Sequence, residues 1–277
     1  MPSVEQNLEL WNKTYDWSNS GDEWSGAWGG TDRMWHRSLY PRIKHMLPAA
    51  TILEIAPGFG RCTEFLKEYC ERMYVVDLSP RCIEACKQRF ATDTHIAYFV
   101  NDGKSLDMIP DQSIDFVFSF DSLVHVQAEV MEAYVKQLAA KLKPGGRGFL
   151  HHSNLGNYRA ARLFGRYAKK LGPVGRMLKE NGRLIDPVWR GDDMTAKLFT
   201  VFCDRYGLRC THQELINWAN RGYLIDSIST FTSGREPKAP NVVVRNPGFM
   251  DEVNQCRREA EAAVKQVTVP EKAALAR

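Results

Sequence analysis

The 277-residue chain lacks the features that would place it in a membrane, outside the cell or on nucleic acid. It has no apolar run near the roughly 20 residues of a membrane-spanning helix, and "MPSVEQNLEL" is not a signal sequence. Its seven cysteines form no C-x-x-C pair, which argues against a zinc site or a disulfide framework. A net charge of +4 is too small to indicate nucleic acid binding. We therefore expect a soluble, cytoplasmic protein with neither a nucleic acid nor a membrane partner.

Strand and helix signals alternate through the middle of the chain, which is typical of a parallel sheet covered by helices. The predicted strands are "TILEIA", "MYVVDLS", "IAYFVND", "SIDFVFSFD" and "RGFLHHS", followed by a hairpin within residues 208–232. We predict an α/β, doubly wound, Rossmann-like sheet of seven strands, mostly parallel, with the antiparallel hairpin at one edge and helices on both faces. The stretch "NVVVRN" fits either a further short strand or an extended loop.

No repeat or low-complexity linker divides the chain, so we predict a single domain over residues 1–277. Its expected parts are a Trp-rich helical cap (1–47), a cofactor-binding core (48–154), a basic lid insertion (155–191), a helix with the hairpin (192–247) and a C-terminal helix (248–277). Five of the seven tryptophans lie in the cap. They are expected to pack the cap onto the sheet, to wall a ligand pocket, or to divide these two roles.

The stretch "ILEIAPGFGR" (52–61) joins a strand to a glycine turn and then a helix. Such a turn lets backbone N–H groups approach a ligand, and the acid that ends the next strand, Asp77, is placed to hold ribose hydroxyls. Gly58 and Gly60 are followed by Arg61 rather than by the third glycine of the dinucleotide fingerprint. An NAD(P)-dependent reductase is therefore the weaker alternative.

Five motifs in order, "LEIAPGFGR", "VVDLS", "NDGKSL", "DQSIDFVFSFDSLVHV" and "LKPGGRGFLHHSN", resemble those of class I S-adenosylmethionine-dependent methyltransferases. The resemblance covers residues 50–154 and is strongest to enzymes that methylate the oxygen of small molecules or sugars. It departs from the family at Ala56, where glycine is usual; one added methyl group leaves room for the cofactor.

The resemblance implies S-adenosylmethionine as the cofactor and a role for each matching residue. Glu54 would accept from the methionyl amine, and Asp77 would accept from both ribose hydroxyls. The remaining contacts would come from Leu78, Asp102 and Gly103 at the adenine and from Ala56, Gly58, Gly60 and Ser119 at the methionine end.

Catalytic candidates lie where the family binds substrate, after the fourth and fifth strands. His151 and His152 are adjacent in a strand, so their side chains point to opposite faces, and we expect His152 to reach the pocket. Asp121 and His125 share a face if they open a helix. His152 or His125 would serve as a general base, or Asp121, His125 and His152 would hold Mg²⁺ or Mn²⁺.

The acceptor is expected to be a small molecule or saccharide. The insertion, residues 155–191, carries nine Lys or Arg against two acids, which suits an acidic, phosphorylated or polyhydroxylated acceptor, or only a solvated helical face. "SFDS" stands where enzymes that methylate nucleobase or glutamine nitrogen have N/D-P-P-Y/F. We predict O-methylation of a saccharide or natural product. Methylation of nitrogen or carbon in a small metabolite and cofactor binding without catalysis are the alternatives, and the oligomeric state is left open.

Overall fold

The computed structural model describes residues 3–168, 172–180, 185, 189–218, 222–234 and 240–267. Within these ranges, one eight-stranded sheet carries helices on both faces, which confirms the predicted Rossmann-like α/β class. The strands are β1 (Thr51–Ile55), β2 (Arg72–Asp77), β3 (Ile96–Val100), β4 (Ile114–Ser119), β5 (Leu142–Ser153), β6 (Leu208–Ile216), β7 (Asp226–Ser233) and β8 (Val242–Asn246).

Helices flank the sheet in the described part of the chain. They are α1 (Val4–Glu9), α2 (Thr31–Arg33), α3 (Tyr40–Ile43), α4 (Thr63–Leu66), α5 (Pro80–Arg89), α6 (Ala128–Lys141), α7 (Arg159–Ala168), α8 (Gly172–Glu180), α9 (Ala196–Arg205) and α10 (Phe249–Val267). Ser79 opens α5 as its N-cap, since its side chain accepts from the backbone of Cys82. Parts of the predicted insertion (169–171, 181–184 and 186–188) and the end of the predicted C-terminal helix (268–277) lie outside the described residues. No helix in the described ranges has the length and apolar character needed to cross a bilayer.

The strand order is β3-β2-β1-β4-β5-β7-β6-β8. Strands β1 to β5 pair in parallel, so their carboxyl ends meet at one edge of the sheet. β7 runs antiparallel to both β5 and β6. The order reverses between β1 and β4, which is where ligands bind in open α/β sheets.

The prediction of seven strands with the hairpin at the edge was wrong, because β8 pairs in parallel with β6 and makes an eighth strand. Val242, Val243 and Val244 are all exposed, so burial imposes no alternating pattern on this strand. Its conformation depends on the backbone of β6, from His212↔Val242 to Ile216↔Asn246. A short stretch of sequence carries no signal for such a partner.

Two apolar cores cover the two faces of the sheet. On one face, residues of the N-terminal cap pack with the start of α10, and Trp28 and Trp35 are fully buried there. On the other face, α6 and α9 pack onto the strands. The cap is thereby anchored beside the carboxyl ends of the strands. Its remaining tryptophans therefore lie near the edge of the sheet where ligands bind in such folds.

Candidate active site

The turn after β1 takes a left-handed backbone at three positions: Ala56, Gly58 and Gly60, with φ of 56°, 61° and 85°. The two glycines have different structural roles. At Gly60 a Cβ would lie 2.5 Å from the Phe90 ring, so this glycine lets α5 pack closely. Gly58 instead lines a pocket, where a Cβ would lie 3.1 Å from Trp17. Ala56 also lines the pocket, held by a 2.7 Å bond from its N–H to the Val76 carbonyl.

Glu54 lies in β1 beneath this turn, 2% exposed, and lines the pocket. Its Oε2 accepts from the Thr63 hydroxyl at 2.5 Å. Burial raises the pKa of Glu54 to about 7, against the lowering effects of Thr63 and Arg61. A buried carboxylate with one hydrogen-bond donor among the described residues retains the capacity to accept from a cationic ligand.

Asp77 ends β2 directly beside the glycine turn. Its Oδ2 accepts from Gly58 N–H at 3.3 Å and its Oδ1 from Ser79 N–H at 2.8 Å. Burial raises the pKa of Asp77 to about 6, although these backbone donors lower it. The acid and the turn therefore form one rigid unit that faces the pocket.

The predicted adenine and methionine contacts divide into two groups. Leu78 and Gly103 line the pocket, and a Cβ on Gly103 would come within 2.9 Å of Val4. Asp102 lies outside the pocket lining, because it is exposed and its Oδ1 accepts from the backbone of Lys104 and Ser105 in its own turn.

Ser119 also lies outside the lining, fully buried at the end of β4. Its hydroxyl makes no hydrogen bond to any described residue. The neighbouring loop supplies Ser122 and Leu123 to the pocket instead, and the Ser122 hydroxyl donates to the Ala56 carbonyl at 2.7 Å.

These residues fit S-adenosylmethionine on their own chemistry. Glu54 offers a buried acceptor for an amine, Asp77 offers one for hydroxyls, and the glycine backbone allows close approach between them. The pocket encloses about 1160 Å³, including space open to solvent, and continues beyond the cofactor residues toward the N-terminal cap. That extension leaves room for an acceptor.

Aromatic side chains form much of the pocket wall. Trp11, Trp17, Trp24 and Trp218 line the pocket, and Trp17 stacks on Phe59 with ring centroids 4.4 Å apart. With Trp28 and Trp35 in the core, the five cap tryptophans are divided between packing and the pocket wall, as the sequence allowed.

His125 lines the pocket in the short helical turn after β4. Its Nδ1 makes a short hydrogen bond to the Trp189 carbonyl. A carbonyl only accepts, so Nδ1 carries the proton and Nε2 keeps its lone pair. Nε2 makes no hydrogen bond to any described residue. Burial and the nearby charge of Arg190 lower the pKa of His125 to about 4, so its ring is neutral near pH 7.

Asn7, in α1, also lines the pocket and holds this arrangement in place. Its amide donates to the His125 carbonyl at 3.1 Å, and its oxygen accepts from Trp189 Nε1 at 2.9 Å. Asn7 and Trp189 thus each contact the other and His125. The orientation of the imidazole depends on three segments that are far apart in the chain.

The preference for His152 over His151 was wrong. His152 is fully buried on the other face of the sheet, where it stacks on Phe199 and bonds to Ser229 Oγ at 2.8 Å. His151 points toward the pocket side, one layer behind its wall. It stacks on Phe120 and contacts Trp218 with ring centroids 4.9 and 5.3 Å away.

Asp121 lines the pocket with a left-handed backbone, φ 60°. Its Oδ2 pairs with Arg61 at 3.3 Å, and its N–H donates to His151 Nδ1 at 3.1 Å. The predicted Mg²⁺ or Mn²⁺ set of Asp121, His125 and His152 is not brought together, because His152 faces away. Within the described part of the chain, no three His, Cys, Asp or Glu side chains cluster as metal ligands.

A second buried ion pair lies beside the first. Arg190 lines the pocket, and its Nε donates to Asp226 at 3.1 Å, while His151 Nε2 lies 3.4 Å from the same carboxylate. The positive charge of Arg190 lowers the pKa of Asp226 against the effect of burial. Two arginines, each paired with an acid, therefore border the acceptor end of the pocket.

Four further residues line the pocket that were not predicted from the sequence: Asn7, Arg61, Arg190 and Trp218. Arg61 stands inside the quoted glycine turn, so its place beside the ligand was open to inference. The other three lie far from every motif, and no local pattern distinguishes them from surface or core residues.

Part of the chain is similar in sequence to known proteins. Residues 52–146 match the family model described as a methyltransferase domain. Among curated proteins, nodulation protein S of Sinorhizobium fredii is 29% identical over 100 residues, which cover 36% of this chain and 45% of the relative. Nodulation protein S of Bradyrhizobium diazoefficiens is 30% identical over 97 residues, covering 35% and 46%. The chain thus spans less than half the length of these relatives.

Solved structures share the fold at low sequence identity. The N-methyltransferase NodS of Bradyrhizobium japonicum has a TM-score of 0.50 and 16% identity, over 74% of this chain and 97% of that one. An S-adenosylmethionine-dependent methyltransferase of Methanosarcina mazei has a TM-score of 0.52 and 18% identity, over 72% and 99%. Residues 52–146 are thus similar in sequence to a methyltransferase domain, and the sheet that contains them is similar in fold to S-adenosylmethionine-dependent methyltransferases.

Proposed function

We propose that the protein transfers the methyl group of S-adenosylmethionine to an uncharged amino group of a saccharide or similar small molecule. The observation that carries this proposal is the state of His125 in the pocket. Its Nδ1 is held by the Trp189 carbonyl, and burial together with Arg190 keeps its ring unprotonated. An amino group of an acceptor beside His125 would be buried in the same way and would lie near the same positive charge of Arg190. It would therefore also be kept unprotonated.

An amine attacks only through a free lone pair, so an environment that removes its proton favours the reaction. When bound, S-adenosylmethionine supplies a methyl group on a positively charged sulfur, which is already a good leaving group. The chain then has to hold the acceptor nitrogen in line with the methyl group, and the methylated ammonium releases its extra proton to solvent. We assign this alignment to the aromatic walls and to His125 Nε2, which accepts a hydrogen bond from the neutral amine.

The cofactor roles of Glu54, Asp77, Gly58 and Gly103 belong to the same proposal. Their placement around one end of the pocket supports them. Asp102 and Ser119 have no such support, and Gly60 contributes through packing.

A hydroxyl acceptor, which the sequence motifs predict, is the second candidate. It is supported by Arg190, because a guanidinium at the pocket wall stabilises the negative charge that develops on an alcohol oxygen. The low pKa of His125 works against it, since a weak base assists an alcohol poorly.

The test uses three oligosaccharides that differ only at the terminal sugar: glucosamine, N-acetylglucosamine and glucose. Each is incubated with the protein and S-adenosylmethionine, and the products are identified by mass spectrometry and NMR. Methylation confined to the glucosamine nitrogen supports the proposal, whereas methylation of hydroxyls on all three supports the second candidate. If calorimetry shows cofactor binding but none of a wide panel of acceptors is methylated, the result supports the alternative of a cofactor-binding protein without catalysis.

A further inference from the structure

Helix α7 presents an apolar stripe to solvent. Ala160, Leu163, Phe164 and Tyr167 follow the i, i+3, i+4, i+7 spacing of one helix face. All four are exposed, and the exposed fractions of Leu163, Phe164 and Tyr167 are 55%, 53% and 68%. Water-facing helices normally carry polar residues at these positions, so this outer stripe requires an explanation.

The inner side of α7 is already used for packing. Ala161 and the preceding Tyr158 pack onto a cluster of Leu155, Ile185 and Ile225. The outer stripe is thus a second apolar face, in addition to the one that anchors the helix. Val174 in α8 is also exposed, at 54%, and extends the apolar surface of the insertion.

The insertion also has an excess of basic over acidic residues. Residues 155–191 contain nine Lys or Arg and two acids, whereas the net charge of the full chain is only +4. The remaining residues are therefore net negative. Arg159 and Arg176 are exposed on the same two helices as the outer stripe.

We propose that the insertion docks on the surface of an anionic phospholipid bilayer through the outer stripe of α7. Apolar residues inserted at the headgroup boundary, with basic residues beside them, are the features that hold amphipathic helices on such membranes. Phe164 and Tyr167 are of the residue classes that favour the interface. This contact is peripheral, and it departs from the expectation that the protein has no membrane partner.

Two other occupants fit the surface less well. Nucleic acid would use the charge but leave Leu163 and Val174 without a function, because aliphatic side chains gain little against phosphates. A second copy of this chain would bring two strongly positive insertions together, which is repulsive.

The insertion lies beside the active site. It follows β5 directly and returns at Gly191, whose carbonyl accepts from the Ser153 hydroxyl at 2.6 Å. The adjacent Arg190 lines the pocket. A membrane bound at α7 would therefore lie near the segment that borders the acceptor end.

The test is co-sedimentation of the full chain with vesicles of phosphatidylcholine alone or of an equal mixture with phosphatidylglycerol. We expect binding to the mixed vesicles that is about tenfold stronger than to the neutral ones and that weakens with added salt. The variant Leu163→Ser/Phe164→Ser should bind mixed vesicles about tenfold more weakly.

The matched control is Val201→Ser/Val243→Ser, which removes two exposed apolar side chains outside the insertion and should bind as the unchanged protein does. Thermal melting and cofactor affinity should be equal in all three proteins, since none of these residues contacts the pocket. A charge variant, Arg159→Glu/Arg176→Glu, should lose the preference for phosphatidylglycerol.

Three results would overturn the proposal. The first is no binding of the unchanged protein to mixed vesicles, and the second is equal binding by the stripe variant. The third is a change in oligomeric mass caused by the stripe variant without any change in vesicle binding, which would assign the surface to a second copy.

Discussion

Replacing Glu54 by glutamine should move protein stability and cofactor affinity in opposite directions. Glu54 is 2% exposed, and burial raises its pKa from an ordinary 4.5 to about 7. The folded protein therefore holds this proton more tightly than the unfolded chain does. Ionisation of Glu54 then destabilises the cofactor-free fold as the pH rises above 4.5, and this destabilisation is complete once the pH exceeds 7.

The size of the effect follows from the shift in pKa. Each pKa unit corresponds to 1.36 kcal/mol, so a rise from 4.5 to about 7 costs about 3 kcal/mol at pH 8. In the unchanged protein the Thr63 hydroxyl donates to Glu54 at 2.5 Å. In Glu54→Gln, the amide side chain carries no charge, and its oxygen can still accept from this hydroxyl. The variant should pack as the unchanged protein does, without the free-energy cost of a buried negative charge.

Cofactor binding should respond in the opposite sense. If the ionised Glu54 holds the methionyl amine, the affinity of the unchanged protein falls about tenfold for each pH unit below 7, because the carboxyl must first lose its proton. Glu54→Gln should bind S-adenosylmethionine at least about tenfold more weakly at pH 8 and show little of this pH dependence.

Urea unfolding without cofactor, from pH 5 to pH 8, measures the first effect, and titration calorimetry with S-adenosylmethionine measures the second. As the pH rises from 5 to 8, the free energy of unfolding of Glu54→Gln should increase by about 2 to 3 kcal/mol relative to that of the unchanged protein. Parallel stability curves for the two proteins would refute the buried, proton-holding carboxyl. Equal cofactor affinity at pH 8 would refute its role in binding.

Further predictions concern packing and the acceptor side. Gly60→Ala should lower the free energy of unfolding by about 2 to 4 kcal/mol in urea titrations, because its Cβ would strike Phe90 from a left-handed backbone. His125→Ala should lower kcat about a hundredfold in methyl-transfer assays, because the acceptor loses the hydrogen bond that aligns it. His152 faces away from the pocket, so His152→Gln should keep kcat within about threefold. The reverse order would contradict the assignment. Asn7→Ala should lower kcat and leave the KM for S-adenosylmethionine unchanged, since Asn7 holds His125 and Trp189; an equal loss in cofactor affinity would make its role merely structural.

The part of the pocket that we propose for the cofactor was largely predictable, because its residues lie within single motifs. Glu54, Ala56 and Gly58 come from one strand and its turn, and Asp77 with Leu78 comes from the end of the next strand. Parallel pairing of β1 with β2 then brings both ends together without further information. Asp102 does not line the pocket, and its Oδ1 accepts from the backbone of its own turn.

The acceptor half could not be predicted in the same way. Asn7, Arg61, His125, Arg190 and Trp218 come from five separate segments that meet only after the cap and the insertion have packed on the sheet. The choice between His151 and His152 illustrates the difficulty. Two neighbouring strand residues must face opposite sides, but which side holds the pocket depends on the register of β5 against β4 and β7.

The sequence alone determined the alternating α/β pattern, the glycine turn and the acid that follows it, because periodicity, backbone freedom and motif spacing act over a few residues. Tertiary structure decided that β8 completes the sheet, that His125 rather than His152 faces the pocket, and that α7 shows an apolar stripe to solvent. Each of these outcomes depends on which surfaces are brought into contact across the folded chain, and a contact between distant segments leaves no mark on either segment by itself.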